Sequence, residues 1–243
     1  MGVIVPTTSG ARAAPAHTIA LHMGSLYLVR HGQASFGAAD YDQLSPLGRQ
    51  QSLRLGTWFR QRGLRFDAVL TGSLRRHAQT LVGIEDGLHI RHAALALPGL
   101  NEYDSEAVVR AVHPGPIAAT KGLEMQRQHF RLLRQGLRQW MAGATQPAGM
   151  PSHADFVAGV VQALDHVRQQ HADGSVLMVS SGGPIATAIG HVLGLGAEAV
   201  IELNLHIRNS ALSEFKVGPR RLSLITFNTL PHLDGDPAAE SYA

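Results

Sequence analysis

Short apolar runs recur along the chain, separated by longer stretches in which apolar residues have a helical spacing. Residues 26–29 (Leu-Tyr-Leu-Val), 66–71 and 175–180 are runs of this kind. An uninterrupted apolar run of roughly four to eight residues is typical of a strand that is buried on both faces. The pattern therefore predicts three buried strands, and the first of them ends at a basic pair, Arg30 and His31.

Helical patterns lie between these runs. Ser45 suits an N-cap, Pro46 suits the first helical position and Gly63 suits the end, which predicts a helix over residues 46–61. Further helices are predicted near residues 74–83, 119–141, 152–171 and 182–193, and further strands near residues 89–97, 205–217 and 221–227. Strands that alternate with helices predict an α/β fold, a three-layer αβα sandwich with a mostly parallel central sheet and right-handed crossovers.

Two segments stand apart from this alternation. Residues 98–118 contain three prolines and predict a loop with a short helix. The block of about residues 98–150 is therefore predicted to be a helical cap insertion within a single domain that covers residues 25–243. Residues 1–24 lack an apolar core after a basic start, which argues against a signal peptide and predicts a flexible N-terminal extension.

Composition narrows the class of protein. Hydrophobic residues make up 44% of the chain and charged residues 16%, which is typical of a globular protein. The formal net charge of +3 suits an anionic substrate, but no basic run is long enough to predict nucleic-acid binding. The chain contains no apolar stretch of about 18 residues, so no membrane-spanning helix is predicted. The absence of cysteine excludes disulfides, thiolate metal sites and a cysteine nucleophile, and it favours a cytoplasmic location.

The basic pair at the end of the first strand lies where chemistry is expected. In an open α/β sheet, ligands bind at the carboxyl ends of the strands. The guanidinium of Arg30 can hold a phosphate with a planar fork of donors, and the imidazole of His31 can attack phosphorus. Gly32 lets the backbone turn sharply or approach a ligand closely. An Arg-His-Gly triplet alone also fits an ordinary surface turn, so its meaning depends on the rest of the chain.

Five segments give the triplet that context. They are Leu-Val-Arg-His-Gly at residues 28–32, Leu-Ser-Pro-Leu-Gly-Arg-Gln-Gln at 44–51, Thr-Gly-Ser-Leu-Arg-Arg-His-Ala-Gln-Thr at 71–80, Leu-Asn-Glu at 100–102 and Val-Ser-Ser-Gly-Gly at 179–183. In this order they resemble the motifs of the histidine phosphatase superfamily, also called phosphoglycerate mutase-like. The resemblance covers roughly residues 25–230.

The resemblance implies a reaction and a set of site residues. It implies hydrolysis of a small phosphorylated substrate through a phosphohistidine on His31, with Arg30 and Arg76 as phosphate clamps and no cofactor or metal ion. It also implies that Glu102 is the general acid, and Asp104 is a weaker candidate for that role. A carboxylic acid must keep its proton near neutral pH to do this, and partial burial would raise its pKa accordingly. The sequence leaves the oligomeric state open.

One motif residue departs from the family pattern. Ser181 stands where the family has its second histidine, and a hydroxyl can donate a hydrogen bond to phosphate but carries no charge. The N–H groups of the helix opened by Gly182 and Gly183 can compensate in part. A histidine from elsewhere, His191 or His206, is another source of compensation. We expect a working but slow enzyme, and we expect a histidine restored at position 181 to raise its rate.

The second motif also differs from the family pattern. Gly72 and Ser73 replace the usual Ser-Pro pair, and His77 stands where the family has alanine. Neither change removes a charge. Arg75, beside the clamp residue Arg76, is expected to be a solvated surface charge.

Three other functions are weighed against this one. A phosphoglycerate mutase is disfavoured, because residues 33–37 lack the family's Trp-Asn pair and the residues after Glu102 differ from the mutase pattern. A catalytically weak phosphate-binding or regulatory domain remains open because of Ser181. A serine hydrolase is excluded, because its nucleophile turn needs glycine two residues before the serine, where this chain has Val179.

Overall fold

A six-stranded mixed sheet lies at the centre of the computed structural model, which describes residues 23–35, 42–115 and 123–242. The strands are β1 (Gly24–Arg30), β2 (Ala68–Thr71), β3 (Ala94–Ala96), β4 (Ser175–Ser180), β5 (Leu212–Val217) and β6 (Leu222–Thr229). Their order across the sheet is β3-β2-β4-β1-β5-β6. The first four are parallel, and β5 pairs antiparallel with both β1 and β6. The predicted α/β class is confirmed, with a sheet made mixed by the reversal at β5.

Seven α-helices lie in the described ranges. They are α1 (Pro46–Gln61), α2 (Arg75–Leu88), α3 (Ser105–Val112), α4 (Leu123–Met141), α5 (His153–Gln170), α6 (Gly182–Leu193) and α7 (Ala197–His206). Helices α1 and α2 pack on one face of the sheet, whereas α5 and α6 pack on the other. None of the helices that the structure describes is long and apolar enough to span a membrane.

The side chains of β1 point alternately to the two faces of the sheet, and both faces are covered, which explains why its apolar run is continuous. Leu26 and Leu28 pack in the hydrophobic cluster that includes the buried residues of α5 and α6. Tyr27 and Val29 pack in the cluster of α1 and α2 on the other face. Successive side chains of a strand point to opposite faces, so a strand covered on both sides needs apolar residues at every position.

Three elements differ from their predicted extents, and one is β3, which covers only Ala94–Ala96 of the strand predicted near residues 89–97. Helix α2 continues through Gly83 to Leu88, because glycines in it allow close contact with α1: a Cβ on Gly87 would lie 2.3 Å from the Leu53 carbonyl oxygen. Helix α7 occupies part of the strand predicted at residues 205–217, and the observed strand begins at Leu212. Apolar and polar residues alternate over residues 203–207, which mimics a strand, but tertiary packing selects the helix.

The block predicted to be a cap contains helices α3 and α4. Val108, Leu137 and Trp140 form a hydrophobic cluster separate from the two clusters that flank the sheet, and Ile201 of α7 joins it. Arg138 of α4 also pairs with a glutamate of α7. Residues 116–122, where the sequence predicts the start of the long helix, and nearly all of the predicted N-terminal extension lie outside the described residues.

Strand register brings three loops to one edge of the sheet. Arg30 at the end of β1 lies opposite Ser180 of β4, and Thr71 at the end of β2 lies opposite Val179 of β4. The three strands are parallel, so the residues that follow them meet at the same edge. The motifs around His31, at the start of α2 and around Ser181 are therefore neighbours in the fold.

Candidate active site

The edge where β1, β2 and β4 end is lined by polar side chains that are buried. Arg30, His31, Arg76, His77 and Ser181 are all buried there, and His77 and Ser181 are 0% exposed. Charged and polar side chains are seldom buried unless they are paired or functional. Their concentration at the ligand-binding edge of an α/β sheet marks this place as the candidate active site.

His31 is held in one orientation by its two ring nitrogens. Nδ1 lies 2.8 Å from the carbonyl oxygen of Gly32, and Arg76 Nε donates to His31 Nε2 over 3.2 Å. Nδ1 therefore carries the proton and Nε2 carries the lone pair. Burial lowers the pKa of His31 well below its ordinary value of 6.5, and the cations Arg30 and Arg76 lower it further. The ring is neutral at neutral pH, the state that a nucleophile needs.

The backbone after β1 is fixed by other motif residues. Thr80 of α2 accepts a hydrogen bond from the Gly32 N–H at 3.0 Å, and Gln51 of α1 accepts one from the Gln33 N–H at 2.9 Å. A Cβ on Gly32 would lie 2.4 Å from the Gly48 carbonyl oxygen, so only glycine permits this close approach. The motif at residues 44–51 thus supports the loop that carries His31.

The predicted clamp Arg76 contacts both His31 and a carboxylate. Arg76 Nη1 lies 2.8 Å from Asp42 Oδ1, and Asp42 also accepts the backbone N–H of Arg75 at 2.8 Å. Asp42 therefore ties the guanidinium of Arg76 to the N-terminus of α2. The side chain of Arg75 is exposed, as the sequence predicts. Arg30, the other predicted clamp, is buried and donates to the carbonyl oxygen of Ile207.

Glu102 reaches the N-terminus of α6. Its two carboxyl oxygens accept the Gly183 N–H at 3.1 and 3.2 Å, and Oε1 lies 3.2 Å from the N–H of Tyr103. Burial raises the pKa of Glu102, although the Gly183 N–H and the two clamp arginines act in the opposite direction. A Cβ at position 183 would lie 2.2 Å from Glu102 Oε1, so this contact depends on glycine. A carboxyl with a raised pKa can serve as a proton donor.

Asp104, the weaker candidate, has a different place. Its carboxylate accepts the Ala107 N–H at 2.9 Å and caps helix α3. Its side chain is 55% exposed and lies near Arg110. It therefore acts as a structural cap and does not join the buried cluster.

Ser181 and Gly182 open helix α6 at the same edge. Ser181 is the N-cap residue of the helix, but its side chain makes no capping bond. Its hydroxyl instead lies 2.7 Å from Nε2 of His77. A Cβ on Gly182 would lie 2.8 Å from Asn204 Oδ1, so glycine lets α7 approach the start of α6. N–H groups at such a helix start favour a bound anion.

His77 is the site residue that the sequence did not single out. Its ring centroid lies 5.7 Å from that of His31, and the ring has no exposed surface. Burial lowers the pKa of His77 to about 3, with a further contribution from Arg76. The two histidines that the sequence suggested as compensation, His191 and His206, are both exposed. The available signal was that Gly72, His77 and Ser181 depart from the family pattern together.

These groups can bind and attack a tetrahedral anion. Two guanidinium groups and a helix N-terminus lie near a neutral imidazole, and a carboxyl whose pKa is raised by burial lies beside them. In the described part of the chain, no three histidine, aspartate or glutamate side chains are grouped so that they could hold a metal ion. The guanidinium groups, the imidazole and the helix start at this edge are suited to phosphoryl chemistry, in which binding and charge stabilisation carry most of the catalysis.

Comparisons with known proteins show the family and the fold. The chain is 34% identical over 61 residues to the broad-specificity phosphatase YOR283W of Saccharomyces cerevisiae, a match that spans 23% of this chain and 26% of the yeast protein. Its fold is similar to that of a phosphoserine phosphatase mutant from Entamoeba histolytica in complex with phosphoserine, with a TM-score of 0.62, 18% identity, and 87% and 100% of the two chains covered. Phosphoglycerate mutase from Bacillus anthracis gives a TM-score of 0.60, 16% identity, and 87% and 96% coverage. The sequence profile of the histidine phosphatase superfamily (branch 1) matches residues 26–230, and the chain therefore belongs to that superfamily.

Proposed function

We propose that the protein hydrolyses small phosphomonoesters through a phosphohistidine formed on His31. The observation that carries this proposal is the fixed tautomer of His31. Nδ1 donates to the Gly32 carbonyl, and the lone pair on Nε2 lies beside the Arg76 guanidinium. A neutral imidazole whose unprotonated nitrogen lies next to a phosphate-binding cation is arranged for attack on phosphorus once the phosphate binds that cation.

The proposed reaction has two steps. In the first, His31 Nε2 forms a bond to phosphorus, the ester P–O bond breaks, and the leaving oxygen takes the proton of Glu102. In the second, water attacks the phosphohistidine, Glu102 accepts a proton from that water, and the N–P bond breaks to release inorganic phosphate. Arg30 and Arg76 bind the phosphoryl oxygens in both steps, and Ser181 and the Gly182 end of α6 face the remaining oxygen.

The substrate is proposed to be a small phosphorylated metabolite. This follows from similarity to proteins named as phosphoserine phosphatase and phosphoglycerate mutase, and from the buried position of the reacting groups. Hydrolysis is favoured over mutase transfer, because the yeast relative is a phosphatase and the chain lacks the mutase residues after His31 and Glu102. We propose that turnover is slow, since the neutral hydroxyl of Ser181 supplies no positive charge to the transition state.

The test is to trap the covalent intermediate. The protein is mixed with a radiolabelled phosphomonoester, quenched in alkali, and analysed for label that is stable to alkali and released by acid, as expected for phosphohistidine. We expect the label on the peptide that contains His31, and inorganic phosphate as the product. A label on another residue, or the absence of both label and turnover, would contradict the proposal. A parallel assay with 3-phosphoglycerate and a bisphosphate primer would reveal mutase activity instead.

A further inference from the structure

His77 and Ser181 form a buried pair beside the proposed nucleophile. His77 Nε2 and Ser181 Oγ are 2.7 Å apart, both side chains are 0% exposed, and the His77 ring lies 5.7 Å from the His31 ring, centroid to centroid. The two residues come from different elements, α2 and the start of α6. Their contact therefore joins the first turn of α2 to the start of α6, close to His31.

The place of the His77 ring depends on a glycine. A Cβ on residue 72 would lie 2.2 Å from His77 Nδ1 and 2.7 Å from its Cε1. The backbone of Gly72 has no positive φ, so its conformation does not itself require glycine. Glycine is needed at position 72 because the His77 ring occupies the space that a side chain there would fill. Gly72, His77 and Ser181 thus form one packing unit, in which the His77 ring contacts each of the other two residues.

Ser181 is the member of this unit that lies at the start of α6, where the motif resemblance expects the phosphate. Ser181 is the N-cap residue of α6, next to the helix start where Glu102 also binds. A serine hydroxyl has one proton to donate, so its direction depends on its neighbours. When His77 Nε2 carries a proton and donates it to Ser181 Oγ, the hydroxyl proton of Ser181 turns toward the anion. A bound anion selects this tautomer, because the two bonds then polarise each other in one direction.

We propose that His77 positions the Ser181 hydroxyl as a hydrogen-bond donor to the transferred phosphoryl group, and that Gly72 provides the space for the His77 ring. This inference rests on the proposed function and adds two residues to it. His77 acts through Ser181 and is a positioning residue. The chain thereby brings an imidazole to the side of the site where its motif has serine.

A double-mutant cycle tests the inference. The variants are Ser181→Ala, His77→Phe and the two together, assayed for kcat and KM on a chromogenic phosphomonoester and for binding of vanadate. We expect each single change to lower kcat on the order of 10²-fold, as for other preorganised donors. We expect kcat of the double variant to be no lower than that of the more impaired single variant, because both changes remove the same hydrogen bond to phosphate. Effects of His77 and Ser181 that multiply would overturn the inference.

Two further variants separate positioning from structure. His77→Gln keeps an N–H near the place of Nε2, and we expect its kcat to stay within about threefold of the wild type. His77→Phe keeps the bulk of the ring but loses the hydrogen-bond donor. His232→Phe is the control, since His232 is partly buried, also bonds a serine hydroxyl, that of Ser210 at 2.9 Å, and has its pKa lowered to about 3 by burial. It should lower the melting temperature and leave kcat near wild type. A His77→Phe variant that behaves in the same way would overturn the inference.

The outcome is distinguishable from a failure of the proposed function. If turnover by the wild type does not depend on His31, the proposed function is wrong, and vanadate binding still reports on the His77–Ser181 pair. If turnover depends on His31 but vanadate binds His77→Phe and Ser181→Ala as tightly as wild type with unchanged kcat, only the further inference is wrong.

Discussion

Two sides of the site are held in place by different means. The loop after β1 is fixed mainly through its backbone: the N–H groups of His31, Gly32 and Gln33 donate to the Ser180 carbonyl, to Thr80 and to Gln51. The facing side, where α2 and α6 begin, depends on a bond between two side chains, His77 and Ser181. Bonds donated by the backbone N–H groups of this loop remain when one of the loop's own side chains, such as that of His31, is substituted. A side-chain bond does not, so single substitutions on the facing side are expected to change its geometry.

The largest expected effect is on the first side. His31→Ala removes the nucleophile while the backbone bonds of its loop remain, so we expect a folded protein whose kcat falls by several orders of magnitude. The measurement is turnover of a chromogenic phosphomonoester together with circular dichroism. A folded variant that keeps the wild-type rate would show that another residue is the nucleophile and that this loop has a different role.

Glu102 lies on the facing side, where its carboxyl accepts the Gly183 N–H at the N-terminus of α6. A general acid matters most for poor leaving groups, so Glu102→Gln should slow alkyl phosphates by about 10²–10⁴-fold and slow aryl phosphates with good leaving groups far less. The raised pKa of Glu102 also predicts the direction of the pH dependence. Activity on alkyl phosphates should fall as pH rises through this pKa, because only the protonated carboxyl can donate. Glu102→Gln should lack this fall. Equal slowing of both substrate classes would assign Glu102 to positioning.

Arg76 joins the two sides, since it contacts His31 and lies in the first turn of α2, the helix that carries His77. Arg76→Ala should lower kcat by about 10²–10³-fold and weaken inhibition by inorganic phosphate, because it removes a charged donor to the phosphoryl oxygens. Arg75→Ala is the matched control, one residue away on the exposed surface. Similar losses in the two variants would mean that general positive charge, and not the position of Arg76, binds the phosphate.

The same two sides differ in how far the sequence predicts them. The apolar run of β1 and the residues Arg30, His31 and Gly32 are contiguous, so the strand, its end and the position of the nucleophile follow from local pattern. His77 and Ser181 are 104 positions apart in the chain. Their contact depends on the register of β2 and β4 and on the space at Gly72, and neither can be read from local spacing. The sequence therefore indicated a loss at Ser181 without indicating what replaces it.

Tertiary packing also explains the fold-level differences. The alternation over residues 203–207 favours a strand, but α7 forms because Ile201 is buried against the α3–α4 cluster. The glycines of α2 suggest a helix end, yet they serve close contact with α1. In both places local pattern was outweighed by packing between elements distant in sequence.

The smallest expected effect gives the sharpest test of the facing side. From the sequence alone, Ser181→His should raise the rate by restoring a family histidine. In the structure the His77 ring occupies the adjoining space, with Nε2 2.7 Å from Ser181 Oγ, so a second ring at position 181 would overlap it. We therefore expect Ser181→His alone to lower kcat by about tenfold, which corresponds to roughly 1.4 kcal/mol.

The compensating variant is Ser181→His combined with His77→Ala, which opens the space that the new ring needs. We expect its kcat to exceed that of Ser181→His by at least about tenfold, since the combined change relieves the overlap and returns an imidazole to the phosphate site. Gly72→Ala should become better tolerated in the same background, because the His77 ring is gone and its Cβ would then meet the end of the Asn101 side chain, at 2.7 Å. If Ser181→His alone raises kcat, the two rings can coexist, and the facing side is more adaptable than a bond between two buried side chains implies.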